Sequence, residues 1–127
     1  MNTNGIELPL KNEVYQIVGA ALEVLKVIGP GLPSTIYENS MIIEFGLREI
    51  EIEQERSFPV TYKGAKVGEF VPDLIAFGSV AIDVKVVDGI TDHDRGRMLN
   101  CLRSANLRVG IVANFKNARL EWERVDL

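Results

Sequence analysis

Apolar residues recur at helical spacing from Lys11 to Ile28, at Val14, Ile17, Val18, Ala21, Leu22, Leu25 and Ile28. Repeats of three and four put such positions on one face, so the spacing predicts an amphipathic helix. Gly29-Pro30-Gly31 ends it, because glycine supplies positive φ and proline withholds a donor. A second helix is expected from Ser34 or Thr35 to Phe45, with Ile36, Met41, Ile42 and Phe45 inward and Gly46 as its stop. The period then falls to two. Ile50-Glu51-Ile52-Glu53 alternates, and Phe58, Val60 and Tyr62 continue the pattern of a half-buried strand. Lys63-Gly64-Ala65-Lys66 reads as a hairpin turn into a second strand over Val67–Ala76, and Gly78-Ser79 as a turn into a third over Val80–Val87, before Gly89 breaks the pattern. Thr91 to Ala105 returns to helical spacing through Met98, Leu99, Leu102 and Ala105. Leu107 to Phe115 is almost continuously apolar, as in a strand covered on both faces, and Leu120, Trp122 and Val125 mark an edge strand. Residues 1–10 read as a lead-in. The order is helix, helix, three strands in meander, helix, two strands.

A chain of 127 residues is expected to form a single domain over 1–127. With 46% hydrophobic and 25% charged residues it is neither disordered nor collagen-like. Cys101 is the only cysteine, which excludes an intramolecular disulfide and a Cys/His zinc site and makes a reducing cytoplasm the expected compartment. The most apolar stretch, Val14 to Leu32, is interrupted by Gln16, Glu23 and Lys26, so no membrane span is expected. A net charge of −4 argues against a non-specific nucleic-acid coat protein. The charge is unevenly placed: residues 1–92 hold 7 Lys/Arg against 14 Asp/Glu, and residues 93–127 hold 7 against 4.

The third strand carries the sharpest chemical signal. Side chains two apart share a face, so Asp83 and Lys85 point the same way, between valines. The preceding strand puts Glu69, Val71, Asp73 and Ile75 together, and Pro72 predicts a bulge or edge just before Asp73. If the two strands are hairpin neighbours, Asp73 and Asp83 converge. Carboxylates brought that close repel, and a hard divalent cation such as Mg²⁺ relieves them. A solvated strand face, or a structural ion pair of Lys85 with Asp73, also fits the spacing. Glu38 is a third candidate acid, although Thr35-Ile36-Tyr37-Glu38 equally matches a capping box. In Thr91-Asp92-His93-Asp94, Thr91 reads as an N-cap, with the acids complementing the helix dipole. His93 is the only histidine and no activated-serine motif accompanies it, so nucleophilic triads are set aside. Cys101 reads as a packed thiol. Arg95, Arg97, Arg103 and Arg108 are candidates for phosphate contact or for plain solvation.

Pro72-Asp73, ten residues ahead of Asp83-Val84-Lys85, resembles the bipartite motif of the PD-(D/E)xK nuclease superfamily. The likeness runs from about Glu13 to Val125, and over that span the chain resembles the small prokaryotic Gly-x-x-Glu-x-x-Tyr (GxxExxY) family, a branch of that superfamily. It rests on Gly29-Pro30-Gly31-Leu32 with Ile36-Tyr37-Glu38, on Val60-Thr61-Tyr62-Lys63-Gly64 with Val67-Gly68-Glu69, and on Asp73-Leu74-Ile75. Leu102-Arg103, Leu107-Arg108-Val109-Gly110 and Asn114-Phe115 complete it. The chain departs from the family at Ser34, where the family name has Glu, and at Arg97 and Cys101, where the family often has Gln and Tyr.

The resemblance implies an α/β restriction-endonuclease-like core, a mixed sheet of about five strands flanked by helices on both faces in the order α-α-β-β-β-α-β-β. It implies a metal-dependent nuclease hydrolysing phosphodiester bonds of DNA, structured or nicked DNA included. Asp73 and Asp83 would hold Mg²⁺ (Mn²⁺ as substitute), helped by Glu38 and the Val84 carbonyl. Lys85 would orient or deprotonate the attacking water, and Arg95 or Arg97 would grip a flanking phosphate. The alternative is a catalytically silent nuclease-like module that binds or assembles with a partner, favoured by the changes at Ser34, Arg97 and Cys101. For so small a domain, a homodimer or a protein partner supplying positive surface is expected on duplex DNA.

Overall fold

The computed structural model describes residues 8–127. Most of the expected lead-in lies outside them, and Pro9-Leu10 forms the turn into helix α1 (Lys11–Ile28). α1 buries Val14, Ile17, Ala20, Ala21, Val24 and Leu25. Leu22 and Ile28, expected inward, are exposed instead, because the helix seats on the stripe that includes its small residues Ala20 and Ala21. Helix α2 (Ser34–Leu47) buries Tyr37, Met41 and Phe45, each four residues apart. That spacing turns Ile36 outward, against expectation. α2 also runs through Gly46, the expected stop, to Leu47, followed by Arg48 as C-cap and Glu49 in left-handed conformation.

Seven strands follow where five were expected: β1 (Ile52–Gln54), β2 (Phe58–Tyr62), β3 (Ala65–Phe70), β4 (Leu74–Ala76), β5 (Val80–Lys85), β6 (Val109–Asn114) and β7 (Glu121–Asp126). The two extra strands arise because each of the first two expected strands is cut in two. Glu55 adopts positive φ between β1 and β2, and Val71-Pro72-Asp73 leaves strand geometry between β3 and β4. The halves between the cuts pair only with each other, as a β2–β3 hairpin closed at Lys63-Gly64. The other five strands form a mixed sheet in the order β1-β4-β5-β6-β7. Phe77-Gly78, both at positive φ, makes the tight turn between antiparallel β4 and β5. β5 and β6 are parallel, and helix α3 (Asp92–Ala105) is the crossover that parallel neighbours require.

Helices cover both faces of the sheet. Val80, Ile82 and Val84 of β5, with Val109, Ile111 and Ala113 of β6, pack into the core built by α1 and α2. Ala81 and Val112 point the other way, against Met98, Cys101 and Leu102 of α3. α3 lies close enough to the sheet that a side chain at Gly110 would collide with the Met98 side chain. Strand parity thus sends Asp83 and Lys85 toward the α3 face at the end of β5, where the sheet stops and the hairpin turns away.

Candidate active site

Asp73 and Asp83 come together, although not as hairpin neighbours in one continuous ladder. Extending the β4–β5 register from Leu74↔Ile82 places Pro72 opposite Val84. Proline has no N–H to give the Val84 carbonyl. From the same residue, Val84 N–H donates to Asp73 Oδ2 at 2.8 Å. The break at Pro72 therefore does two things: it fixes the Asp73 carboxylate at the strand end and spares the Val84 carbonyl a proline partner.

Asp83 is 4% exposed on the neighbouring strand. Burial and the Asp73 charge push its carboxyl up to about 6, against the pull of Arg97, Lys85 and the Asp73 amide. Glu38 is drawn into the same field. The capping box expected for it is absent, since α2 begins at Ser34 with Pro33 as N-cap and has no side-chain cap. Thr35 is already inside the helix. Freed from capping, the Glu38 carboxyl is shifted upward by partial burial and by Asp73, Asp83 and Glu55. Among the described residues, no three His, Cys, Asp or Glu side chains stand as a ready-made ligand group. The groups that could hold a cation here are the Asp73 and Asp83 carboxylates, with Glu38 at their margin. Such a set suits Mg²⁺, which commonly takes only one or two protein carboxylates and keeps its remaining positions for water and phosphate.

Lys85 lies beside this pair and reaches Asp94, with Nζ 3.6 Å from Oδ1 and side chains only 20% and 12% exposed. Asp94 was read only as a helix-start acid, and it is that too. Its Oδ2 accepts from the N–H and Oγ1 of Thr91, while its own N–H donates to Thr91 Oγ1, a complete capping box. The Thr91 hydrogen bonds, led by the backbone N–H, and then Lys85 lower the Asp94 carboxyl against the upward push of burial. One carboxylate thus caps α3 with one oxygen and faces Lys85 with the other. The Thr91-x-x-Asp94 spacing directly after the Lys85 strand was the signal for it.

The two candidate phosphate-gripping arginines diverge. Arg95 is bound to Glu123 by Nε and Nη2, both at 2.7 Å, and to Asp92 by Nη1 at 2.7 Å. These hydrogen bonds raise its already high pKa. Arg97 instead lies over the Phe70 ring, 5.3 Å from its centroid, and its charge acts on Asp83. Cys101 is buried, its thiol pushed up to about 12 by desolvation and by Asp83, which leaves it inert as a nucleophile. His93 is exposed near the start of α3.

The motif residues Gly31 and Tyr37 build the wall opposite Lys85. Tyr37 stacks on Phe115 with centroids 4.6 Å apart; its hydroxyl donates to the Gly29 carbonyl at 2.6 Å and accepts from Leu32 N–H at 3.0 Å. Gly31 N–H donates to the Phe115 carbonyl, with Gly31 at φ 82°. A cleft of about 520 Å³ remains between Gly31–Ser34 and Lys85–Val87, with Ser34 on its wall. Sequence reasoning gave Asn114 no role beyond the likeness. It is 2% exposed and donates to the Val87 carbonyl and Glu121, while accepting from Val87 N–H. Glu121 in turn accepts from Ile90 N–H, so the connection from Lys85 to α3 is held at both ends.

No curated protein and no solved structure matches the chain. Among the described residues, no helix is long and apolar enough to cross a membrane. A family model for the PD-(D/E)XK nuclease superfamily matches residues 11–125, which span every element from α1 nearly to the end of β7. With that match, a mixed sheet covered on both faces and Asp73, Asp83 and Lys85 at one strand end, the chain belongs to the PD-(D/E)XK nuclease superfamily.

Proposed function

We propose that the protein is a metal-dependent nuclease acting on DNA, of the GxxExxY branch, with Asp73, Asp83 and the Val84 carbonyl as ligands of Mg²⁺ or Mn²⁺ and Glu38 as an outer acid. The observation that carries this reading is the burial of Asp83 beside Asp73, a pairing that costs the fold stability unless a cation joins it. A divalent ion bound there supplies Lewis acidity to water and to the phosphoryl group. The chain's own residues do the positioning. The Val84 N–H holds Asp73 in place, and Glu38 adds negative charge at the margin. Lys85 presents its donor beside the carboxylates, steadied by Asp94, to orient the attacking water and to meet the charge that develops on the phosphate. Arg97, unlike Arg95, has no carboxylate paired with it among the described residues and is the better candidate for a flanking phosphate.

A second reading, a silent relative acting with a partner, draws on Ser34. It stands in the Lys85 cleft where the family name has glutamate, so one acid of the pattern is missing from the lysine's surroundings. Calorimetric titration of Mg²⁺ and Mn²⁺ into wild type and Asp83→Ala, with cleavage of single-stranded, duplex and branched DNA, separates the two. The nuclease reading expects metal binding that Asp83→Ala abolishes and cleavage that Lys85→Ala abolishes. Wild type that binds neither ion below millimolar concentration supports the silent module.

A further inference from the structure

We propose that the groove between the β2–β3 hairpin and α3 binds an unpaired strand of nucleic acid and leads it to Asp73 and Asp83; the second half of this statement rests on the nuclease reading. The groove measures about 740 Å³, the scale of a nucleotide-sized ligand site. Val60, Thr61 and Phe70 form its hairpin wall, and Asn100, Arg103 and Ser104 its helix wall. Phe70 is the aromatic step nearest the carboxylates, since Arg97 lies over its ring and acts on Asp83. Its partner across the hairpin, Phe58, is buried and lies outside the groove's lining. With Arg97 on one face, the half-buried Phe70 ring presents its remaining exposed surface to a base, and aromatic contacts of this kind hold single strands without reading their sequence.

The charges fit the same occupant. Arg103 donates to Asn100 Oδ1 at 2.9 Å and Arg97 packs on Phe70, so neither is neutralised by a carboxylate among the described residues. Arg95, two residues before Arg97 and so on the opposite side of α3, is paired with Glu123. Arg103 thus lines the α3 wall with Arg97 beside it, while Glu38 adds negative charge near Asp73 and Asp83. One phosphate backbone suits that asymmetry. A duplex brings a second backbone toward the acids, and its paired, stacked bases offer Phe70 no face.

The test is fluorescence anisotropy of labelled oligothymidylate, oligouridylate and a DNA duplex, each about ten units long, with the full chain in EDTA. Cleavage is silent under these conditions, so the groove can fail while the nuclease reading stands, and the reverse. The expected result is at least roughly tenfold preference for unpaired over duplex probe, with Phe70→Leu and Arg103→Gln each weakening it about fivefold or more. Arg119→Gln, outside the groove, leaves binding within about twofold. The tighter of the two unpaired probes names DNA or RNA as the source. Arg103 is exposed, so its variant tests the groove even where Phe70→Leu disturbs folding. Equal affinity for duplex, or wild-type affinity in Arg103→Gln, overturns the proposal.

Discussion

Asp83 joins stability to chemistry at the scale of one side chain. Its carboxyl stands near 6 in the fold against 3.8 ordinarily, so the fold favours the protonated form. The stabilisation is complete below the unfolded value and is lost as pH rises through 6. At pH 8 the metal-free protein therefore carries a cost of about 3 kcal/mol at this position. Asp83→Asn is expected to raise Tm at pH 8 and to flatten the decline between pH 4 and 7, measured by thermal melts in EDTA. A wild type whose Tm does not fall over that range contradicts the burial argument. Asp94 gives a second prediction at this scale. Asparagine retains an oxygen to cap Thr91 but removes the charge facing Lys85. Asp94→Asn should keep Tm near wild type and lower kcat about tenfold with little change in KM. Asp94→Ala should also lose about 1 kcal/mol of capping stability. If Asp94→Asn keeps wild-type kcat while Asp94→Ala loses stability, the carboxylate acts only as a cap.

At the scale of elements, the Gly31–Tyr37 segment is a brace that frames the Lys85 cleft. Tyr37→Phe keeps the stack on Phe115 and deletes the hydroxyl that joins Gly29 to Leu32. The expected loss is about 1 kcal/mol in urea denaturation, with faster amide exchange at Gly31 and Leu32, since a partly buried carbonyl and an amide lose their shared partner. Unchanged exchange there would show that the Phe115 contact alone holds the loop. The brace also shows which parts of the fold were legible. α1 and α3 were read with bounds within a residue, because Gly29-Pro30-Gly31 and Thr91 punctuate the chain unambiguously. The strand breaks were not. Alternation runs through Glu55 undisturbed because the hairpin beyond it has the same period, and a glutamate at positive φ announces nothing. Pro72 did announce a disruption, and the structure shows the consequence: a hairpin turned aside and Asp73 fixed by the Val84 amide. Glu38 was ambiguous by sequence because four residues match a capping box wherever the helix starts. Only the start at Ser34 decides it.

For the molecule as a whole, charge decides how nucleic acid can be held. The chain carries −4 overall, and the cations of its last 35 residues are divided between ion pairs and free positions. Arg95 and Arg124 are bound to Glu123 and Asp126, which leaves Arg103 on the groove wall and Arg97 beside it on the Phe70 ring to meet a phosphate backbone. Counterion release then sets the salt response. With two phosphates neutralised on a single strand, log K against log salt should fall with a slope of about −1.4. Binding would thus weaken only about fivefold to tenfold between 50 and 200 mM salt, far less than for proteins that grip duplexes through many phosphates. The slope is read from the oligothymidylate titration repeated over that range, and Arg103→Gln should reduce its magnitude by about 0.7. A slope steeper than about −3 demands more cations than the groove of one chain supplies. A second copy would then have to bring its own arginines to the strand, and the slope would change with protein concentration across the dimerisation range.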